Sequence, residues 1–388
     1  MTPMARSVMN SKSNALRVRS IGTIAVGVLL ASSVLTSCVK QAVTTYDVSS
    51  AQAKLLIYPG AEWTRVPSVE AAGYSRAGLD SVRALLATGG STGFMAVVGG
   101  RVLMEYGDLD TLSYLASVRK SILAMLYGNY VASGQVKLDK SLAQLGIDDV
   151  GGLTPSEREA TIRDLLTARS GVYHEASNAG DDLASAPPRG SQKHGTYQLY
   201  SNWDFNAAGA AFELETGRNI YDALDTDLAK PIGMQDWKRE IQRKSGDTTK
   251  SVHRAYHMVL STRDMARIGL LMLRDGNWAG TQVVPQPWVK EITRAVTPVS
   301  QMNPTSRRSG PFGYGYLWWI WDGQWNTGAY AGAYSGLGAI GQHITVLPAL
   351  DMVVAHKTVP GGRSVSHTQF LRILDQLVKA KCAGACPQ

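Results

Sequence analysis

Between positions 117 and 134 the chain reads SVRKSILAMLYGNYVASG, and from 122 to 131 it is apolar on nearly every side of a helix. A helix with no solvent face must be wrapped by other elements, so this one belongs in the middle of a sizeable fold. A length of 388 residues permits that, as one large domain or two closely packed ones. With 44% hydrophobic and 18% charged residues, the composition is that of a globular chain and argues against long disorder.

The elements on either side set the fold class. SRAGLDSVRALLATGG has helical spacing at Leu79, Val82, Leu85 and Leu86 and ends on glycines. FMAVVGGRVLMEYGD follows as two apolar runs around Gly99 and Gly100, a β-hairpin with a primed turn. Near the other end, YGYLWWIW, GQHITVLP and DMVVAHKT each read as a strand, and SHTQFLRILDQLVKA as a closing helix. The middle, roughly 121–275, is mostly helical. One plain segment there is Ser261-Thr262-Arg263-Asp264, an N-cap hydroxyl with an acid three residues on, ahead of MARIGLLMLRDG. The prediction is an α+β fold: an antiparallel sheet drawn from both ends of the chain, flanked by helices, with a mostly helical insertion.

The N-terminus carries its own instruction. Arg6, Lys12, Arg17 and Arg19 precede an uncharged stretch containing IGTIAVGVLLASSVL, the pattern of a secretory signal over residues 1–37. The stretch ends in Leu35-Thr36-Ser37-Cys38, which resembles a bacterial lipobox, and so predicts Cys38 as a lipidated first residue of the mature chain. A plain cleaved signal and an uncleaved anchor are the alternatives. Residues 38–53 then read as a polar tether, and 54–388 as the folded domain. This predicts an exported protein whose membrane partner is reached through the lipid, facing periplasm or exterior. The other two cysteines, Cys382 and Cys386 in KCAGACPQ, would form a small local disulfide in such an oxidising compartment. The net charge of +8 owes half its value to the four basic residues of the signal. The rest is too dispersed to predict nucleic acid as a partner.

Chemistry concentrates at the head of the buried helix. Ser117 and Lys120 are one turn apart and share a face. The serine sits near the positive end of the helix dipole. A lysine desolvated there has its pKa pushed down until it can accept a proton, which is what a hydroxyl nucleophile needs. A capping serine followed by a solvated lysine is the bland alternative for an isolated pair. About eighty residues on, GTYQLYSNWDFNAAGAAFELETG places Tyr200 and Asn202 at i and i+2 of an extended turn, facing one pocket. A phenol beside an ammonium can serve as phenolate, and so as general base.

S-x-x-K followed by Y-x-N resembles the penicillin-binding and class C-type serine β-lactamase superfamily, in the branch with β-lactamase-like esterases and 6-aminohexanoate-dimer hydrolases. LASVRKSILAMLYG, IRDLLTARSGVYHEAS, YSNWDFNAAGAAFE, LSTRDMARIGLLMLRDGNW and GYGYLWWIW look like blocks of that branch in the same order. The resemblance implies Ser117 as the acylated nucleophile, with Lys120 and Tyr200 sharing the proton transfers. It implies the backbone N–H of Ser117 as one oxyanion donor, Asn202 as a polar wall, and Tyr173 as a substrate contact. It implies neither a metal nor an organic cofactor, and a small ester or amide as substrate; the oligomeric state is not specified. A DD-peptidase, a β-lactamase, and a protein of this fold that acylates without turning over are the rival functions.

The third motif of that superfamily, Lys/His-Thr/Ser-Gly, is where the sequence departs. The matching segment, AYSGLGAIGQHITVLP, has no Lys or His before its glycines. Two registers fit it: Tyr334-Ser335-Gly336, or Gly336-Leu337-Gly338 followed by Ala339. The second is preferred, because Gly341-Gln342 matches an ending common in the branch, and it would make the Ala339 N–H the second oxyanion donor. The missing cation weakens recognition of a β-lactam carboxylate and favours ester or amide hydrolysis.

Three further patterns are set aside. Gly89-Gly90-Ser91-Thr92-Gly93 matches a nucleophile elbow, but a helix precedes it and a hairpin follows, the reverse of what an elbow needs. His253 and His257 have the i, i+4 spacing of zinc ligands, without the glutamate or third ligand of a zinc site. Tyr314, Tyr316, Trp318, Trp319 and Trp321 fit a strand with alternating core and surface as well as they fit a pocket wall.

Overall fold

Gly99 and Gly100 take φ of 59° and 81°, the left-handed values a two-residue primed turn demands. They fold strand β1 (Gly93–Val98) back on β2 (Arg101–Gly107). The computed structural model describes residues 56–384 and 386; the predicted signal, Cys38 and the tether lie outside the described residues. The other strands of the main sheet come from the C-terminal third. They are β3 (Phe312–Tyr314), β4 (Trp319–Trp321), β5 (Tyr334–Gly338), β6 (Gln342–Leu347) and β7 (Met352–Lys357). The order across the sheet is β2-β1-β7-β6-β5-β4-β3, antiparallel at every pair. β7 therefore closes against β1, and the two ends of the chain build one sheet.

Alternation along the central strands divides the core into two layers. Phe94, Ala96 and Val354 face a cluster formed with helix α1 (Arg76–Gly89) and the closing helix α5 (His367–Lys379), including Val82, Leu86, Phe370 and Leu374. Met95, Val97, Val353 and Ala355 face the opposite cluster. It contains α2 (Val118–Ala132), α3 (Asn202–Thr216) and α4 (Thr262–Leu273), the helices of the insertion. In α2 every residue from 118 to 128 is buried, as a helix apolar all round requires.

Two local expectations are corrected. YGYLWWIW is not one strand: it ends β3, turns, and begins β4, with Leu317 at φ 60°. The turn is imposed from outside, because Leu317 N donates to Leu166 O at 2.9 Å and Leu317 O accepts from Ser121 Oγ at 2.7 Å. Leu85, on the predicted apolar face of α1, is exposed. At the head of α4, Ser261 Oγ accepts from Asp264 N at 3.1 Å. The Asp264 carboxylate completes no capping box; it accepts instead from the backbone of Gln235 and Asp236, at 2.7 and 3.0 Å.

Candidate active site

Ser117 is the N-cap of α2, and it makes no side-chain capping bond. Ser75, Ser201, Ser261 and Ser366 all commit their hydroxyls to caps; Ser117 keeps its own out of the cap. The residue before it, Ala116, is held at φ 48°. Strain of this kind costs on the order of 1–3 kcal/mol and persists where its surroundings fix it. Here Leu115 N donates to Met258 O at 3.0 Å on one side, and α2 begins on the other. Ser117 remains partly exposed while Lys120 is buried, so the hydroxyl is reachable and the amine is not.

Lys120 Nζ makes three hydrogen bonds: to Ser117 Oγ at 3.0 Å, Tyr200 OH at 2.6 Å and Asn202 Oδ1 at 2.6 Å. Its amine also lies over the rings of Tyr200 and Phe205, at 4.3 and 4.4 Å. Burial pushes the Lys120 ammonium well below the ordinary lysine range, and the positive charge of Arg119 adds to this; Asp181 and Asp182 oppose it. The same burial pushes the Tyr200 phenol up to about 12, with a hydrogen bond to Ser117 pulling the other way. Burial thus disfavours the charged form of each partner, the ammonium and the phenolate.

The loop at 178–182 fixes the Tyr200–Asn202 turn. Asn202 Nδ2 donates to Ala179 O at 3.0 Å, so Oδ1 must face Lys120. Asn202 N donates to Asp181 Oδ2 at 2.9 Å, and Asp182 N donates to Tyr200 O at 2.9 Å. Arg119, the other buried cation of this turn, donates to Asn206 Oδ1 at 3.2 Å and lies 4.3 Å above the Tyr256 ring.

Strand β5 runs past the head of α2. A side chain at Gly336 would meet Ser121 Oγ at 3.1 Å, and one at Gly338 would meet Leu115 O at 2.7 Å and Ala116 Cβ at 3.2 Å. Ser335 turns the other way, into the sheet, 2.9 Å from Thr345 Oγ1. Gly338 is thus level with the residue before Ser117, and Ala339 opens the turn that follows. Tyr173 is half-buried; its hydroxyl has no hydrogen-bond partner among the described residues, and burial beside Asp204 and Tyr197 pushes the phenol up.

A neighbouring pocket of about 350 Å³ was not anticipated as part of the site. Asp182, Pro304, Arg307, Phe312 and Trp319 line it. The Trp319 ring lies 5.4 Å from that of Tyr200. Arg307 donates to both oxygens of Asp182, at 2.6 and 2.8 Å, and its guanidinium lies 5.3 Å from the Trp319 ring. The aromatic run held the signal for Trp319; nothing in NPTSRRSG singles out Arg307. Of the patterns set aside, Ser91 lies between α1 and β1 and bonds to His356 at 2.8 Å. His253 and His257 flank a two-residue strand rather than sharing a helix face, and they have different neighbours, Asp148 O and the Tyr114 ring. Cys382 and Cys386 are joined in a disulfide.

An antiparallel sheet backed by two terminal helices, with a serine and a lysine one turn apart at the head of a buried helix on its other face, defines the class of the serine β-lactamases and penicillin-binding proteins. A profile of the Beta-lactamase family matches residues 80–358, and the chain belongs to that family, a family of hydrolases. A Bacillus anthracis protein provisionally named a 6-aminohexanoate-dimer hydrolase superposes with a TM-score of 0.60 at 18% identity, over 86% of this chain and 91% of its own. A penicillin-binding protein homologue from Caulobacter crescentus gives 0.58 at 15%, over 81% and 98%. In sequence, the esterase EstB of Burkholderia gladioli is 31% identical over 159 residues, 35% of this chain and 40% of that protein.

Proposed function

We propose that this protein cleaves an ester or amide bond through an acyl-enzyme on Ser117. The observation that carries the reading is the short bonding of the buried Lys120 amine to Ser117, Tyr200 and Asn202 at once. Asn202 takes one N–H, which leaves the Lys120 lone pair to accept the Ser117 proton. As that proton moves, Ser117 Oγ bonds to the carbonyl carbon and the carbonyl π pair shifts to oxygen. The backbone N–H groups of Ser117 and Ala339 would stabilise that oxyanion. Collapse expels the alcohol or amine, protonated through Tyr200 and replenished from Lys120. Water, giving its proton back along the same route, releases the acid and restores Ser117.

The substrate class follows from β5. The strand carries glycine and leucine where β-lactam recognition calls for a cation, and the nearby Arg307 is bonded through two nitrogens to Asp182. Both features support an ester or amide over a β-lactam. The signal-like N-terminus supports export with Cys38 as lipid anchor, and the Cys382–Cys386 disulfide fits an oxidising compartment. The test is hydrolysis of a p-nitrophenyl acyl-ester series beside nitrocefin, for wild type and Ser117→Ala. Ester turnover that needs Ser117, with little on nitrocefin, is expected. Vigorous nitrocefin turnover would make the protein a β-lactamase, and full activity in Ser117→Ala would overturn the mechanism.

A further inference from the structure

Ala339 begins the turn from β5 to β6, and that turn is strained. Ile340, a β-branched residue, sits at φ 64°, a conformation such residues adopt only when their surroundings over-determine it. Bonds from three residues, one on β7 and two in the loop after it, converge on its two carbonyls. Thr358 Oγ1 and Val365 N donate to Ile340 O, the latter at 3.0 Å. The Nδ1 of His356 lies 2.6 Å from Gly341 O. His356 is fully buried on β7, and its Nε2 lies 2.8 Å from Ser91 Oγ.

The hydrogen-bond roles here are forced. A carbonyl oxygen only accepts, so Nδ1 carries the proton; Nε2 is then a lone pair, and the Ser91 hydroxyl donates to it. The Gly341 carbonyl thus fixes the tautomer, and Ser91 satisfies the remaining Nε2 lone pair. Burial pushes the imidazole down to about 4, so it stays neutral in ordinary buffers.

We propose that His356, its Nε2 satisfied by Ser91, is a positioning residue that sets the Ile340–Gly341 turn and so aims the Ala339 N–H at the reacting carbonyl oxygen. This rests on the acyl-enzyme reading above. The serine of the rejected elbow motif thereby gains a part in the site, two steps removed from the chemistry.

The side-chain nitrogen of asparagine falls near the Nδ1 position of histidine and donates as it does, whereas leucine cannot. Steady-state kinetics on a p-nitrophenyl ester, with melting temperatures, should therefore be measured for wild type, His356→Asn, His356→Leu, Ser91→Ala and Ser117→Ala. His356→Leu should lower kcat by about a hundredfold, the effect of losing one oxyanion donor, with KM within about threefold. His356→Asn should recover at least about tenfold of that loss. Wild-type kcat in His356→Leu, or equal losses in the two variants, would overturn the proposal. Should His356→Leu not fold, Ser91→Ala decides: a several-fold drop in kcat at unchanged melting temperature supports the clamp, and unchanged kcat overturns it. Turnover abolished in Ser117→Ala upholds the acyl-enzyme reading whatever the His356 series shows. Turnover that survives there removes that reading and the premise of the clamp together.

Discussion

Lys120 Nζ lies 2.6 Å from Tyr200 OH in a site where both groups are buried. Burial drives the two pKa values toward the same outcome, an uncharged pair, by lowering the amine and raising the phenol to about 12. The rate should record both. kcat/KM is expected to rise with pH as Lys120 loses its proton, at a pH well below the ordinary lysine value. It should then stay level through the usual alkaline range, because Tyr200 ionises only near 12. Tyr200→Phe should keep the fold and the rising limb but lower kcat by about 10²–10⁴-fold, the worth of a positioned proton-transfer group. Wild-type turnover in that variant would remove Tyr200 from the mechanism.

Lys120 also links stability to pH. Its folded pKa is depressed, so between that value and the unfolded value the unfolded chain binds more protons and stability rises with pH. Lys120→Met abolishes that dependence at one site. The melting temperature of the variant relative to wild type should be highest near neutral pH and decline toward pH 10. Lys357, pushed down to about 7 by burial among backbone carbonyls, adds a slope of the same sign to both proteins and cancels in the difference. A difference independent of pH would mean that Lys120 is not depressed.

Close approach at Gly338 is a test of strand placement. A side chain there would press on Leu115 O at 2.7 Å, moving β5 away from the head of α2. Gly338→Val should fold, by circular dichroism, and lose about a hundredfold in kcat, as small misplacements of reacting groups do. Gly60, exposed and with open space around it, serves as a control: Gly60→Ala should leave kcat unchanged.

The pocket beside Trp319 should sort substrates by reach. Arg307→Ala should raise KM by about tenfold for long or aromatic esters, and leave p-nitrophenyl acetate unaffected, with kcat similar for both. An equal change for short and long esters would place substrate elsewhere.

What the sequence disclosed depended on whether the signal was local. Helix α2 was legible because an all-round apolar segment has one place to go, and Ser117 and Lys120 came with it through helical spacing. The hairpin at Gly99–Gly100 declared itself through turn chemistry. The 314–321 run did not, because its turn is set by Leu166 and Ser121, which no local pattern reveals. The strain at Ala116 and Ile340 has no sequence signature, since alanine and isoleucine carry no preference for positive φ. Arg307 joins the site through Asp182, 125 residues away in sequence, and by lying over the Trp319 and Tyr200 rings.

The central claim is a covalent acyl group on Ser117. The direct measurement is mass spectrometry of protein quenched in acid during turnover of a p-nitrophenyl ester, followed by peptide mapping. The account predicts an added acyl mass on the peptide carrying Ser117, accumulating in Tyr200→Phe if deacylation is slowed more than acylation, and absent in Ser117→Ala. An acyl mass on another residue, or turnover in Ser117→Ala equal to wild type, would contradict it.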